Sequence, residues 1–272
     1  MIVVPTMGSR ADYLELCVGS LLAQTHPVRV LVVAGAGASE IAARWRHEPR
    51  VSVHAQQSRG LSAAINEGWT LDGWTSDLLG WLGDDDALPP GSVAAAVAAM
   101  DRHPNAAMVH GRCAVVDADG NLSRVLRNGS AGAALAGFGV NLIAQPGCLF
   151  RTADVHAVGG LDESLRYAMD VDLYARLRRR GRIVATRAQL GVFREHATGL
   201  STAQKDPAAA EARVATRRHL QRRTGLVLDR IAMPLSRAVG RLSQLTPSHP
   251  RGVWTPDPPR ASDAASAARR TP

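Results

Sequence analysis

The first hundred residues alternate short apolar runs with segments of helical period, and this alternation restricts the fold more than any other feature of the chain. Ile2-Val3-Val4 is an apolar run closed by Pro5, Val28 to Ala34 a second, Val51-Ser52-Val53-His54 an alternating third, and Leu78 to Leu82 a fourth. Between them, Tyr13 to Leu22, Ile41 to Arg46 and Leu61 to Leu71 carry apolar residues every three or four positions. Strands joined through helices pair in the same direction, because the crossover returns the chain to the starting end of the sheet. The expectation is an α/β domain with a mostly parallel, mixed sheet, helices on both faces, and ligands at the carboxyl ends of the strands.

At one such end the fourth run leads through Gly83 into Asp84-Asp85-Asp86 and then the turn Leu88-Pro89-Pro90-Gly91. Adjacent carboxylates raise one another's pKa unless a cation neutralises them, and oxygen donors suit hard ions such as Mg²⁺ or Mn²⁺. An ion held by two carboxylates keeps positions open for a nucleotide diphosphate. A solvated acidic turn is the plainer alternative for these three residues taken alone.

Composition narrows the class. With 272 residues, 46% of them hydrophobic, the chain can bury one substantial core. Cys17, Cys113 and Cys148 are odd in number and set among apolar residues, which fits reduced core thiols in a cytosolic protein better than disulfides or zinc. No apolar run reaches the length of a membrane span, and no secretory leader is visible. The net charge of +8 would favour a polyanionic partner, but the arginines gather late: Arg176, Arg178, Arg179, Arg180, Arg182 and Arg187, then Arg213 to Arg270. They lack the interleaved aromatics of nucleic-acid-binding stripes, so no nucleic acid is expected.

Gly35-Ala36-Gly37-Ala38-Ser39-Glu40 follows a strand and precedes a helix, but Glu40 stands where a dinucleotide fingerprint needs its third glycine, so a plain turn is expected. Further on, Val93 to Met100 reads as a helix, Ala106 to His110 and Arg112 to Val116 as two strands, and Asp117 to Asn121 as a hairpin turn. Asn128 to Gly139 is a loop or a weakly specified helix, Gln145 to Arg151 a strand, Gly159 to Glu163 a turn, and Met169 to Arg180 a helix with Asp170 and Asp172 at its start. The helix dipole alone favours a carboxylate there. Trp69, Trp74 and Trp81 suit either the core or a sugar-stacking face, with the core favoured.

Taken in order, Val3-Val4-Pro5-Thr6 with Arg10, Ser20 to Thr25, Gly60 to Gly68, Trp81 to Asp86, Gly159 to Glu163 and Met169 to Leu173 resemble the family 2 glycosyltransferases of GT-A fold, over residues 2 to about 202. The resemblance implies inverting transfer of a sugar from a nucleotide-diphosphate donor to a hydroxyl of a glycan or lipid-linked acceptor, assisted by Mg²⁺ or Mn²⁺. It also implies roles. Asp86 and Asp85 would hold the metal, with His196 as a further ligand or a structural residue. Pro5, Thr6, Arg10, Arg59, Asn66, Asp84 and Asp85 would contact the donor nucleotide. Asp170 would be the catalytic base, with Asp172 the other register or an acceptor contact, and Gln145 would lie near the acceptor. Family members usually carry an acidic residue near the base after the second strand, where this chain has Ala34-Gly35-Ala36. The base therefore stays open among UDP, dTDP and GDP.

The expected organisation is a catalytic domain over 1–202, a helical basic extension over 203–245, and a disordered tail over 246–272. In the extension, Ala208 to Arg223 reads as a basic helix, and Leu226 to Leu245 puts apolar residues at helical spacing against Arg230, Arg237 and Arg241. Such a helix fits either an anionic membrane surface or the flank of the domain, which would leave the enzyme cytoplasmic and peripheral to a membrane. A nucleotidyltransferase, or a non-catalytic basic protein binding nucleic acid or an anionic surface, are the alternatives. The first lacks a basic triphosphate loop near the N-terminus, and the second leaves the acidic cluster unexplained.

Overall fold

The computed structural model describes residues 1–127, 129–136, 142–197, 199 and 205–219. Four parallel strands, β1 (Ile2–Thr6), β2 (Val30–Ala34), β3 (Val51–Ala55) and β4 (Leu78–Trp81), stand in the order β3-β2-β1-β4. Helices α1 (Ala11–Leu22), α2 (Ala38–Arg44) and α3 (Leu61–Leu71) make the crossovers. After α4 (Ser92–Asp101) come β5 (Ala106–Val116), β6 (Leu122–Leu126), α5 (Gly129–Ala136), β7 (Leu149–Arg151), α6 (Thr152–Ala157), α7 (Met169–Leu177), β8 (Arg182–Arg194) and α8 (Lys205–His219). β7 lies antiparallel between β4 and β5, β6 pairs antiparallel with the end of β5, and β8 runs parallel to β5.

The strand alternation divides the core between the two faces of the sheet. Val3, Leu31 and Val33 point to one face and pack with Ile65 and Trp69 of α3 and with Leu173 and Leu177 of α7. Ile2, Val4, Val30 and Val32 point to the other and pack with Leu14, Val18 and Leu21 of α1 and Val93 and Ala96 of α4. Each such buried aliphatic side chain contributes about 1.5–3 kcal/mol. Helix α3 approaches closely because Gly68 faces the sheet, where a Cβ would lie 2.7 Å from Val3 Cγ2. Trp69 is fully buried, and Trp81 stacks on Phe150 with ring centroids 5.2 Å apart.

Several elements differ from the sequence reading. The two strands expected over 106–116 are one, β5, whose ladder to β8 shifts register around Gly111. The strand expected over 145–151 starts only at Leu149, because Gly147 takes φ +83° and turns the chain. α6 and β8 were unforeseen, since β8 carries Arg182, Arg187 and Gln189 among its apolar residues. The Gly- and Ala-rich stretch forms helix over its described part. The basic helix of the extension appears as α8, whose Ala215 is buried in the core shared with α7. The amphipathic stretch 226–245 and the tail 246–272 lie outside the described residues.

Candidate active site

Because β1 and β4 are neighbours, the loop leaving β1 lies beside the acidic cluster leaving β4. The Thr6 hydroxyl donates to Asp84 Oδ2 at 2.6 Å, Arg10 Nη2 pairs with Asp84 Oδ1, and Arg10 Nη1 donates to Asp85 Oδ2 at 2.9 Å. Asp84 is 2% exposed, and burial pushes its carboxyl pKa up against the opposing pull of Thr6 and Arg10. Gly8 lets this loop turn: it takes φ +76°, and a Cβ there would meet the Ala36 carbonyl oxygen at 2.6 Å. The cation that the cluster requires is thus partly supplied by the chain itself, through Arg10.

The end of β8 completes the other side. The Arg194 N–H donates to Asp86 Oδ1 at 3.0 Å, and its Nε donates to the Asp85 carbonyl at 3.2 Å. The Arg194 guanidinium also lies 4.8 Å over the Tyr13 ring. Burial, reinforced by the Asp85 charge, pushes the Asp86 carboxyl pKa well up. His196 Nε2 sits 2.8 Å from Asp85 Oδ2 and 3.1 Å from Arg10 Nη1. One ring nitrogen cannot donate to the carboxylate and accept from the guanidinium at once, so one of these contacts is not a hydrogen bond in either tautomer.

The donor set suits a hard divalent cation bound jointly with phosphate. Asp85 Oδ1 and Asp86 Oδ2 both crowd Gly83, at 2.7 and 3.0 Å from where a Cβ would stand, so the two carboxylates converge on a space that only glycine leaves open. Among the described residues no group of three or more His, Cys, Asp or Glu is arranged to hold a metal by itself. Mg²⁺ sites built from one or two carboxylates usually complete their shell with water and substrate phosphate.

Asp170, in the first turn of α7, lines the same cleft as Asp85 and Asp86, a space of about 310 Å³ that Pro5, Trp81, Gln145, Arg166 and Tyr167 also border. Its Oδ1 accepts the Val171 N–H at 2.7 Å. Gln145 is held by donating to the Trp81 carbonyl at 2.8 Å. Other expected site residues sit elsewhere. Asp172 is buried on a different face of α7 and takes the Arg176 Nε at 2.7 Å, a structural pair. Asn66 is engaged with the backbone of Leu161, accepting its N–H at 2.8 Å and donating to its carbonyl at 2.9 Å. Arg59 is exposed ahead of α3.

Arg194 at the site and Glu67 on α3 were missed. Arg194 had only its place in the string before His196 to mark it. Glu67, on α3, accepts the N–H groups of Gln57 and Ser58 and so fixes the loop after β3.

The sheet order is that of the GT-A fold. The chain belongs to glycosyl transferase family 2, whose family model matches residues 1–157. No curated protein sequence matches it. The fold is similar to that of TarS 1-349 from S. aureus in complex with UDP-GlcNAc, with TM-score 0.61 and 16% identity over 79% of this chain and 64% of that one. It is also similar to the mannosyltransferase PcManGT from Pyrobaculum calidifontis in complex with GDP-Man and Mn²⁺, with TM-score 0.61 and 15% identity over 98% of this chain and 79% of that one. The chain thus spans less than two thirds of the TarS fragment, and at these identities the likeness concerns the fold alone.

Proposed function

We propose that the protein transfers a glycosyl residue, with inversion, from a nucleoside-diphosphate sugar to a hydroxyl of a glycan or lipid-linked acceptor. The observation that carries this reading is the placement of Asp170 in one cleft with Asp85 and Asp86. A base and a diphosphate site in one cleft are what a direct displacement needs. In that step the acceptor oxygen bonds to the anomeric carbon, and its proton passes to the Asp170 carboxylate. The bond from that carbon to the diphosphate breaks, and its electron pair leaves with the nucleotide.

Asp86 and Asp85, with His196, would hold Mg²⁺ or Mn²⁺, which when bound neutralises charge on the leaving diphosphate. Pro5, Thr6, Arg10 and Arg59 would face the nucleotide, and Gln145 the acceptor. The donors carried by the two structural neighbours, UDP-GlcNAc and GDP-Man, define the first panel to test. The catalytic unit is taken as residues 1–202. The basic character of the extension supports work at the cytoplasmic face of a membrane bearing the acceptor. Among the described residues no helix is long and apolar enough to cross a membrane.

The test is a thermal-shift panel of UDP, GDP, dTDP and CMP with Mn²⁺, Mg²⁺ or chelator, on wild type and Asp86→Ala. A ligand that binds only the native state raises the midpoint. A metal-dependent rise with one nucleoside diphosphate, lost in the variant, is expected; no rise with any of them would remove the reading.

A further inference from the structure

The segment from Leu161 to Ala168 joins the Gly159-Gly160 turn to α7 and carries two residues of the cleft wall, Arg166 and Tyr167. It has no regular structure of its own and leads directly into the first turn of α7, which carries Asp170. Side chains from α3 and α8 hold it along its length. Asn66 grips both backbone groups of Leu161, and the Ser62 hydroxyl donates to the Leu165 carbonyl at 3.0 Å. Arg218 of α8 pairs with Asp162 at 2.9 Å. Nearest to the catalytic helix, the two oxygens of Glu211 on α8 accept the N–H groups of Arg166 and Tyr167, at 2.6 and 2.8 Å.

Two consecutive N–H groups aimed at one carboxylate form a small anion nest, and bonds to a charged acceptor are about twice as strong as neutral ones. The carboxylate also lies just ahead of the N-terminus of α7, where negative charge is favoured. Ala208, one turn before Glu211 on the same helix, lines the cleft itself.

We infer that Glu211 is a positioning residue for transfer: it fixes the 166–167 backbone, and through it the first turn of α7 and Asp170. This rests on the transfer reading above. The functional unit then extends past residue 202 to include α8, which serves as a wall and clamp of the acceptor side.

The full chain is tested in two arms. In the first, hydrogen–deuterium exchange is followed in wild type, Glu211→Ala and Glu211→Gln. Faster exchange confined to 164–170 in Glu211→Ala is expected; unchanged exchange there, or faster exchange throughout the chain, overturns the inference. In the second, release of nucleoside diphosphate from UDP-GlcNAc, UDP-glucose and GDP-mannose with Mn²⁺ is measured, water serving as acceptor. Glu211→Ala should lower kcat about tenfold with donor KM within about twofold, a loss of stabilisation in the transition state alone. Glu211→Gln, whose carbonyl oxygen can still accept one N–H, should recover part of the rate. An unchanged kcat, a donor KM rising in step with the loss, or no recovery with Gln overturns the inference. A wild type that hydrolyses none of the donors counts against the transfer reading, and the exchange arm then decides the role of Glu211 by itself.

Discussion

Arg10 and His196, 186 residues apart in sequence, meet at 3.1 Å over the carboxylate of Asp85. The guanidinium lies among lone-pair donors of the kind a divalent cation takes, and its single charge is shared between Asp84 and Asp85. Replacing it by Met leaves a buried carboxylate without its counter-charge. A loss of about 2 kcal/mol is expected, below the full cost of breaking a buried pair because Arg10 is 31% exposed. Mn²⁺ should restore part of it. Urea melts of Arg10→Met with and without Mn²⁺ check this, and equal melts would show that Mn²⁺ does not take the place of Arg10.

Asp85, Asp86 and Asp170 share a cleft but are assigned different work. Asp85→Ala or Asp86→Ala should abolish metal-dependent binding of the nucleotide. Asp170→Asn should keep that binding and lower turnover by about 10²–10⁴, the range for loss of a general base. Titration calorimetry of the nucleotide alongside single-turnover assays separates the two effects, and equal donor affinity in all three variants would undo the assignment.

Gly68 is the contact point of α3 with β1. Gly68→Ala would press a methyl group to 2.7 Å from Val3 Cγ2 and 2.8 Å from Val3 Cγ1. Overpacking of this kind costs about 1–3 kcal/mol, more than the helix-propensity gain of Ala over Gly. The midpoint of thermal unfolding should fall, and a rise would mean that the sheet yields at Val3.

His110 sits 2% exposed on β5, its Nε2 without a hydrogen-bond partner, and burial lowers its pKa from 6.5 to about 4. The unfolded chain therefore takes up a proton below pH 6.5 that the folded one refuses until about pH 4. Stability contributed by the neutral ring is complete above pH 6.5 and is lost as the pH falls towards 4. At about 1.4 kcal/mol per pH unit, the loss is on the order of 3 kcal/mol. Urea midpoints between pH 7 and pH 4.5 should fall more steeply in wild type than in His110→Leu; parallel slopes would place the acid sensitivity elsewhere.

The fold was legible where one local period governs a segment. Leu61–Leu71 was read to the residue because Ile65 and Trp69 recur at helical spacing over a buried face. β8 escaped because its apolar residues are interrupted by Arg182, Arg187 and Gln189, and its ladder to β5 shifts register, which breaks the period of two. At the site, the acidic cluster and Asp170 were visible as carboxylates at strand and helix ends. Their partners Thr6, Arg10 and His196 were marked only through the family pattern, and Arg194 not at all, since an Arg that reaches Asp84 across 74 residues leaves no local mark. Asn66 shows the converse. Its place in a family pattern marked it for the nucleotide, whereas its amide satisfies the backbone of Leu161, 95 residues away.

Strand β8 pairs with β5 from Ala106 to Val116 and ends at the residue that holds Asp86. A ribosome that has released only residues 1–157, the part matching the family model, has therefore made β5 but not β8. Such a nascent chain presents a long apolar strand with nothing beside it along that ladder, a template for self-association. The contacts that close it span about eighty residues, which makes closure a late and slow event in folding. Completion of the acidic cluster is thereby tied to the pairing of β8 with β5, because without that strand Asp86 lacks the Arg194 N–H that holds it.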